Sequence, residues 1–203
     1  MTAPLPIDDG LLVVRSIVTA PLENNVYLVA SAASGKAVVI DAASEAERIL
    51  EMAEPFTVVA VVATHGHHDH VGAAAEVSGA LGSPFMIHPA DEAAAGITAD
   101  VRLTDGAVLD LEGVALEAVH TPGHTPGSTC LITGHLLFSG DTLFPGGPGA
   151  TAGPGGDFPT IMESLRTRLF TLPDTTVVLP GHGRPTTIGA ERPSLDEWAT
   201  RGW

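Results

Sequence analysis

The sequence predicts a mixed α/β (α+β) chain in which two β-sheets pack face to face with helices covering the outer faces. Three observations carry that expectation. Short β-branched and apolar runs recur in both halves of the 203-residue chain. Segments of helical spacing follow each set, and the turns between them are rich in glycine and proline. No linker and no tandem repeat interrupts residues 1–203, so they are expected to form one domain.

The elements follow in order. Leu11–Val14 with Ile17–Val18, then Val26–Val29 and Ala37–Ile40, read as strands separated by turn residues. Ser44-Glu45-Ala46-Glu47 has the spacing of a capping box and should open a helix through Ile49, Leu50 and Met52. Thr57–Ala63 is apolar on both faces, as a central strand would be. Val71–Leu81 is expected as an alanine-rich helix closed by Gly82, followed by a strand at Pro84–His88 and a helix near Pro89–Ala95. Strands return at Ala107–Leu111, Val114–Val119, Ser128–Ile132 and Leu136–Phe138. Residues 145–156 carry only glycine, proline, alanine and threonine without period. Phe158, Ile161, Met162, Leu165 and Leu169 then fall at helical spacing, with Asp157 placed to cap. Val177–Leu179 reads as a last strand, and helix is expected around Leu195–Ala199.

Composition narrows the function classes. A hydrophobic fraction of 44% against 16% charged excludes a disordered chain. A formal charge of −15 repels nucleic acid and anionic membrane surfaces, so neither is expected as a partner, and a small-molecule substrate is. No apolar run is long enough to span a bilayer, and the first nine residues lack a basic segment followed by an apolar one. A cytoplasmic location is expected. Cys130, the one cysteine, lies in a strand pattern and reads as a small buried hydrophobe.

The chemistry concentrates in His65-Gly66-His67-His68-Asp69-His70, directly after the apolar run. Imidazole and carboxylate are the ligand types that first-row divalent cations prefer. Six successive side chains cannot reach one ion, but alternate residues can face one point and the residues between them a second. The cluster therefore predicts two neighbouring metals and calls for further ligands. His124 (in Thr121-Pro122-Gly123-His124-Thr125-Pro126-Gly127), Asp141 (in Ser139-Gly140-Asp141-Thr142) and His182 (in Pro180-Gly181-His182-Gly183) all sit at strand ends bracketed by glycine or proline. Glycine lets the backbone turn and approach closely there. His68 should point outward, and His88, His120 and His135 lack partners at ligand spacing; His120 is the one placed to support a ligand. Thr64, Thr121 and Thr142 adjoin ligands and are candidates to hydrogen-bond them.

His65-x-His67-x-Asp69-His70, followed in order by His124, Asp141 and His182, resembles the metallo-β-lactamase superfamily, and within it the glyoxalase II-like (hydroxyacylglutathione hydrolase-like) thioester hydrolases. The resemblance spans about residues 25–192. It implies the four-layer αββα sandwich with two metals at one edge of the sheets. It also implies His65, His67 and His124 on one metal, Asp69, His70 and His182 on the other, and Asp141 bridging. Zinc is favoured by the histidine-rich set, with iron or manganese possible. Two such cations can share a hydroxide that attacks a thioester or ester carbonyl, with Asp69 as the candidate catalytic group that orients it or passes on its proton.

The chain departs from that branch in two places. After Asp141-Thr142-Leu143-Phe144 the related proteins usually continue with a glycine-arginine-threonine-aspartate segment. Here the uncharged loop 145–156 follows, readable equally as a mobile lid or a passive insert, and a cationic anchor for a substrate carboxylate is missing at that place. The tail after Arg192 also shows no match to the basic and aromatic C-terminal region of the longer enzymes. The substrate-binding residues are unknown from sequence. A mononuclear-iron persulfide dioxygenase, holding its iron through His65, His124 and Asp141, and a lactone or other ester hydrolase are the alternatives.

Overall fold

The computed structural model describes residues 7–8 and 10–202; most of the stretch read above for a leader lies outside them. The chain runs β1 (Ile7–Asp8), β2 (Leu12–Thr19), β3 (Asn24–Ser31), β4 (Lys36–Ile40), α1 (Ala46–Ala53), β5 (Thr57–Val62), α2 (His68–Val71), α3 (Ala74–Leu81), β6 (Phe85–Ile87), α4 (Glu92–Ala95) and β7 (Val101–Arg102). These strands form one sheet in the order β1-β2-β3-β4-β5-β6-β7, antiparallel to β4 and parallel beyond it. Then come β8 (Val108–Asp110), β9 (Ala115–His120), β10 (Thr129–Thr133), β11 (Leu136–Gly140), β12 (Leu143–Phe144), β13 (Gly147–Pro148), α5 (Phe158–Ser164), β14 (Val177–Pro180), β15 (Thr186–Thr187), α6 (Ile188–Glu191) and α7 (Leu195–Arg201). The second sheet runs β15-β14-β11-β10-β9-β8, and β12–β13 is a separate hairpin.

Burial explains the layers. Within β4, Val38 and Ile40 face the other sheet, where they join Leu116, Leu131, Phe138 and Leu179. Ala37 and Val39 face the opposite way, onto Ile49, Met52 and Val77 of the first helical layer. A strand covered on both faces must be apolar at every position, hence the unbroken runs. On the far side, Cys130, Leu137 and Val178 pack against Ile161, Leu165, Leu169 and Trp198. Helix, sheet, sheet and helix thus stack as the expected αββα sandwich. Among the described residues no helix is long and apolar enough to cross a membrane.

Several local expectations need correction. The runs at 11–14 and 17–18 are one continuous strand, β2. No capping box forms: Ser44 Oγ donates to the Ala20 carbonyl at 2.5 Å, and Glu45 stands at the head of α1 in a left-handed conformation. A contact distant in sequence has taken the hydroxyl that a cap would use. The helix expected over 71–81 is two, because the Ala73 N–H turns to the carbonyls of Ala42 and Ala43. Gly72 permits that approach, since a Cβ there would lie 2.6 Å from the Ala43 oxygen. Asp157 does cap α5, accepting from the Thr160 N–H at 2.9 Å, but the helix continues as a π-turn over residues 165–169. Strands β7 and β15, two residues each, are too short to leave a periodic signal.

Candidate metal centre

The ends of the parallel strands deliver the site. β5 ends at Val62, and Ala63 and Thr64 lead into His65. His67 is the N-cap of α2, which carries Asp69 and His70 on its single turn. The β9–β10 connection brings in His124, the end of β11 brings Asp141, and the β14–β15 connection brings His182. All seven sequence-predicted residues meet at this one edge.

Two trios form. His65 Nε2 lies 3.1 Å from His67 Nδ1, which lies 2.9 Å from His124 Nε2. In the other, His182 Nε2 is 3.3 Å from both His70 Nε2 and Asp69 Oδ2, and the latter two are 3.5 Å apart. Asp141 reaches both: Oδ1 is 3.4 Å from His70 Nε2, and Oδ2 is 3.7 Å from His124 Nε2. The split differs from the alternation expected within the cluster. His65 and His67 face one point as foreseen, but Gly66 and His68 do not face the second. It is made by the next turn of chain, and His68 is exposed.

A cation fits these groups. The outward ring nitrogens are engaged by acceptors: His124 Nδ1 with Ala150 O at 2.6 Å, His182 Nδ1 with Leu22 O at 3.0 Å, and His70 Nδ1 with Asp41 Oδ2 at 3.0 Å. His65 Nδ1 is 3.2 Å from Thr64 Oγ1, whose own proton goes to Asp41 Oδ2. A carbonyl or carboxylate can only accept, so those nitrogens carry a proton, and in the neutral rings that ligation requires the inward nitrogens present lone pairs. Lone pairs about 3 Å apart repel unless a cation lies between them; tetrahedral sites with bonds near 2.0–2.1 Å separate their ligands by roughly 3.3 Å. Asp141 Oδ1 is buried with no hydrogen-bond partner. An orphaned buried carboxylate oxygen is costly to leave uncompensated.

The charges agree. Burial, together with the neighbouring imidazoles, holds His65 well below the ordinary histidine range. Burial also lowers His67, seconded by His124. The hydrogen bond from His182 keeps Asp69 well below the usual carboxylate range against burial, with help from Asn24 Nδ2 at 3.0 Å. His70 is different: burial disfavours its charge, but the charge and hydrogen bond of Asp41 outweigh that and raise it to about 9. A raised value means the protonated ring favours the metal-free fold, fully below about 6.5 and fading as pH climbs through about 9. His70 must release that proton to ligate, so the metal-free protein should bind a divalent cation at the Asp69–His70–His182 trio more tightly at pH 9 than at pH 6.5. Competition against a chromophoric chelator at the two values measures this; equal affinities would contradict it.

Sequence reasoning missed the supports. Asp41 directly follows β4 and accepts from the Thr64 N–H at 2.7 Å, from Thr64 Oγ1 and from His70. Asp91, also buried, accepts from the N–H groups of Gly66 at 2.8 Å and Gly127 at 2.7 Å and from Thr125 Oγ1 at 2.6 Å. It ties the His65–His67 loop of one sheet to the His124 loop of the other. The only advance signal for Asp41 was a carboxylate directly after a buried strand; Asp91 gave none. Of the three threonines, Thr64 supports a ligand, whereas Thr121 and Thr142 bond each other at 3.1 Å. His120 supports none: its Nε2 pairs with Pro126 O, and its ring stacks on His88. Burial raises the Cys130 thiol to about 11, in keeping with an inert core residue.

Loop 145–156 is neither lid nor passive insert over its first half. The β12–β13 hairpin orders residues 143–148, Gly149 N–H bonds Thr142 O at 3.2 Å, and Ala150 O holds His124. A Cβ on Gly149 would collide with the Asp141 carbonyl oxygen. Gly149→Ala should therefore lose about 1–3 kcal/mol and part of its metal, read by thermal unfolding and elemental analysis. An unchanged melting temperature would show that the loop yields freely.

Comparison with known proteins agrees with this geometry. Residues 19–182 match the family model of the metallo-beta-lactamase superfamily. Hydroxyacylglutathione hydrolase GloC from Haemophilus influenzae is 37% identical over 180 residues, covering 78% of this chain and 85% of that protein. The solved structure of BLEG-1, a B3 metallo-beta-lactamase, shares 32% identity with a TM-score of 0.80, covering 89% of this chain and 96% of the other. ETHE1 from Myxococcus xanthus shares 29% identity with a TM-score of 0.80, covering 88% and 81%. The chain belongs to the metallo-β-lactamase superfamily, as a hydrolase of that fold with histidine and aspartate groups suited to divalent metal.

Proposed function

We infer that the protein hydrolyses a thioester, in the manner of glyoxalase II, at a dinuclear centre. His65, His67 and His124 hold one cation, Asp69, His70 and His182 the other, and Asp141 bridges, with zinc the favoured metal. The observation that carries the reading is the two trios of inward lone pairs, each spaced as ligands of one ion, flanking a carboxylate with an orphaned oxygen. Bound there, a pair of divalent cations supplies an acidified water and polarises an acyl carbonyl. The chain's own residues do the positioning. Asp41, Ala150 and Leu22 lock the imidazole tautomers. Asp69 is half-buried and ionised, and it serves as the acceptor that orients the attacking water. Asn24 Nδ2 donates to Asp69 Oδ2 at 3.0 Å and fixes that carboxylate. Residues 1–203 acting as one domain on a small-molecule substrate, in the cytoplasm and without nucleic acid or membrane, complete the proposal. The similarity to GloC supports the thioester over other esters.

The test is protein purified without added metal, analysed for bound metals and assayed on S-acyl thiols, lactones and persulfides. Two metal equivalents with thioester hydrolysis are expected. One iron with oxygen uptake on a persulfide would replace this reading with the dioxygenase alternative.

A further inference from the structure

His182 is the one candidate ligand with glycine on both sides, Gly181 and Gly183. A Cβ on Gly181 would collide with Asp141 Oδ1 and with the His70 ring, so glycine is what lets this loop come so close to the centre. Gly183 adopts a left-handed conformation, with φ 72°. Glycine restrains the backbone least of all residues, so the place of His182 has to be set by bonds from outside its loop. The Leu22 carbonyl holds the ring nitrogen and leaves the main chain of the loop to other partners.

Strand β3 supplies those partners. The Asn25 N–H donates to Gly181 O at 2.7 Å, and Asn24 pairs with His182 in an antiparallel bridge. The Asn25 side chain then spans the loop. Its Nδ2 carries two hydrogens and donates to Pro180 O and to Gly183 O, each at 2.9 Å, on either side of His182. Tyr27 Oη donates to the same Pro180 carbonyl at 2.7 Å, and both side chains are buried. β3 belongs to the first sheet, whose strand β5 leads to Asp69 and His70, whereas the loop leaves β14 of the second. Asn25 thus ties His182 to the sheet that carries its two partners. It is the donor counterpart of Asp91, which secures the His124 loop by accepting N–H groups.

We propose that Asn25 is a positioning residue for His182: by bridging the Pro180 and Gly183 carbonyls it sets how tightly the Asp69–His70–His182 trio holds a cation, and it has no hold on the His65–His67–His124 trio. The proposal rests on the two-cation reading. The main-chain bonds to Gly181 and His182 do not depend on the side chain at position 25. Removing the amide therefore keeps the pairing of β3 with the loop and loses the aim of the ligand.

Zinc affinity, measured against a chromophoric chelator in two backgrounds, tests this. H67A leaves only the Asp69–His70–His182 trio complete, and H182A leaves only the other. Adding N25A should weaken zinc binding about 10–100-fold in the first background. In the second it should change binding by less than about twofold. Y27F removes a single bond to Pro180 O and should cost about threefold in the first background alone; it carries the comparison if N25A does not fold. A general loss of stability would weaken both backgrounds alike. Equal losses in the two, or none in H67A, overturn the proposal. If the wild type takes up fewer than two zinc ions, the two-cation reading fails by itself. Nuclear magnetic resonance of the metal-free protein, labelled at its histidine nitrogens, then decides the positioning role. N25A, or Y27F in its place, should shift or lose the His182 Nδ1–H signal, held by Leu22 O, and keep that of His124, held by Ala150 O. An unchanged His182 signal overturns it.

Discussion

Asp141→Ala should purify with at most one of its two expected metal ions and lose at least about 10²-fold in kcat/KM, since substitutions one layer further out already cost 10–100-fold. The side chain touches both trios, Oδ1 at 3.4 Å from His70 and Oδ2 at 3.7 Å from His124, so its removal opens both at once. A second readout separates ligation from general damage. Stripped of metal, the wild type leaves Oδ1 without a hydrogen-bond partner, with only the charged His70 ring 3.4 Å away to offset its burial. The variant should therefore lose little in melting temperature without metal and clearly more with it. Metal content near wild type in Asp141→Ala would remove the bridging role.

Asp91→Ala should cost about 3–5 kcal/mol, because it strands the two buried N–H groups of Gly66 and Gly127, while the Thr125 hydroxyl keeps Ser128 Oγ at 2.7 Å. For a chain of this size that corresponds to a melting-temperature drop on the order of 10 °C. Metal should fall first at the His65–His67–His124 trio, whose loops Asp91 ties together across the two sheets. Asp91→Asn tests the same contacts with the shape kept: an amide can accept from one N–H but turns a donor towards the other. A melting temperature within a degree or two of wild type, with metal intact, would show that the two loops hold their places without it.

The candidate ligands were legible because they obey local rules. Four stand within six residues, and the other three sit at strand ends bracketed by glycine or proline. The layers were legible as well, since a doubly covered strand such as β4 must be apolar throughout. What stayed hidden depends on contacts distant in sequence. Asp41, Asp91 and Asn24 are single polar residues whose partners lie 23 to 45 positions away in three of their bonds, beyond any spacing rule. Ser44 fits the capping pattern but bonds a turn 24 positions earlier. Loop 145–156 has no period, yet its main chain completes the surroundings of His124 and Asp141.

Leu22 and Ala150 grip the outer nitrogens of His182 and His124 through peptide oxygens, which every amino acid possesses. Their side chains are consequently released from the upkeep of the centre. Evolution or an engineer can exchange them to reshape the entrance for a new substrate, and the two imidazoles keep their aim provided the peptide path is undisturbed.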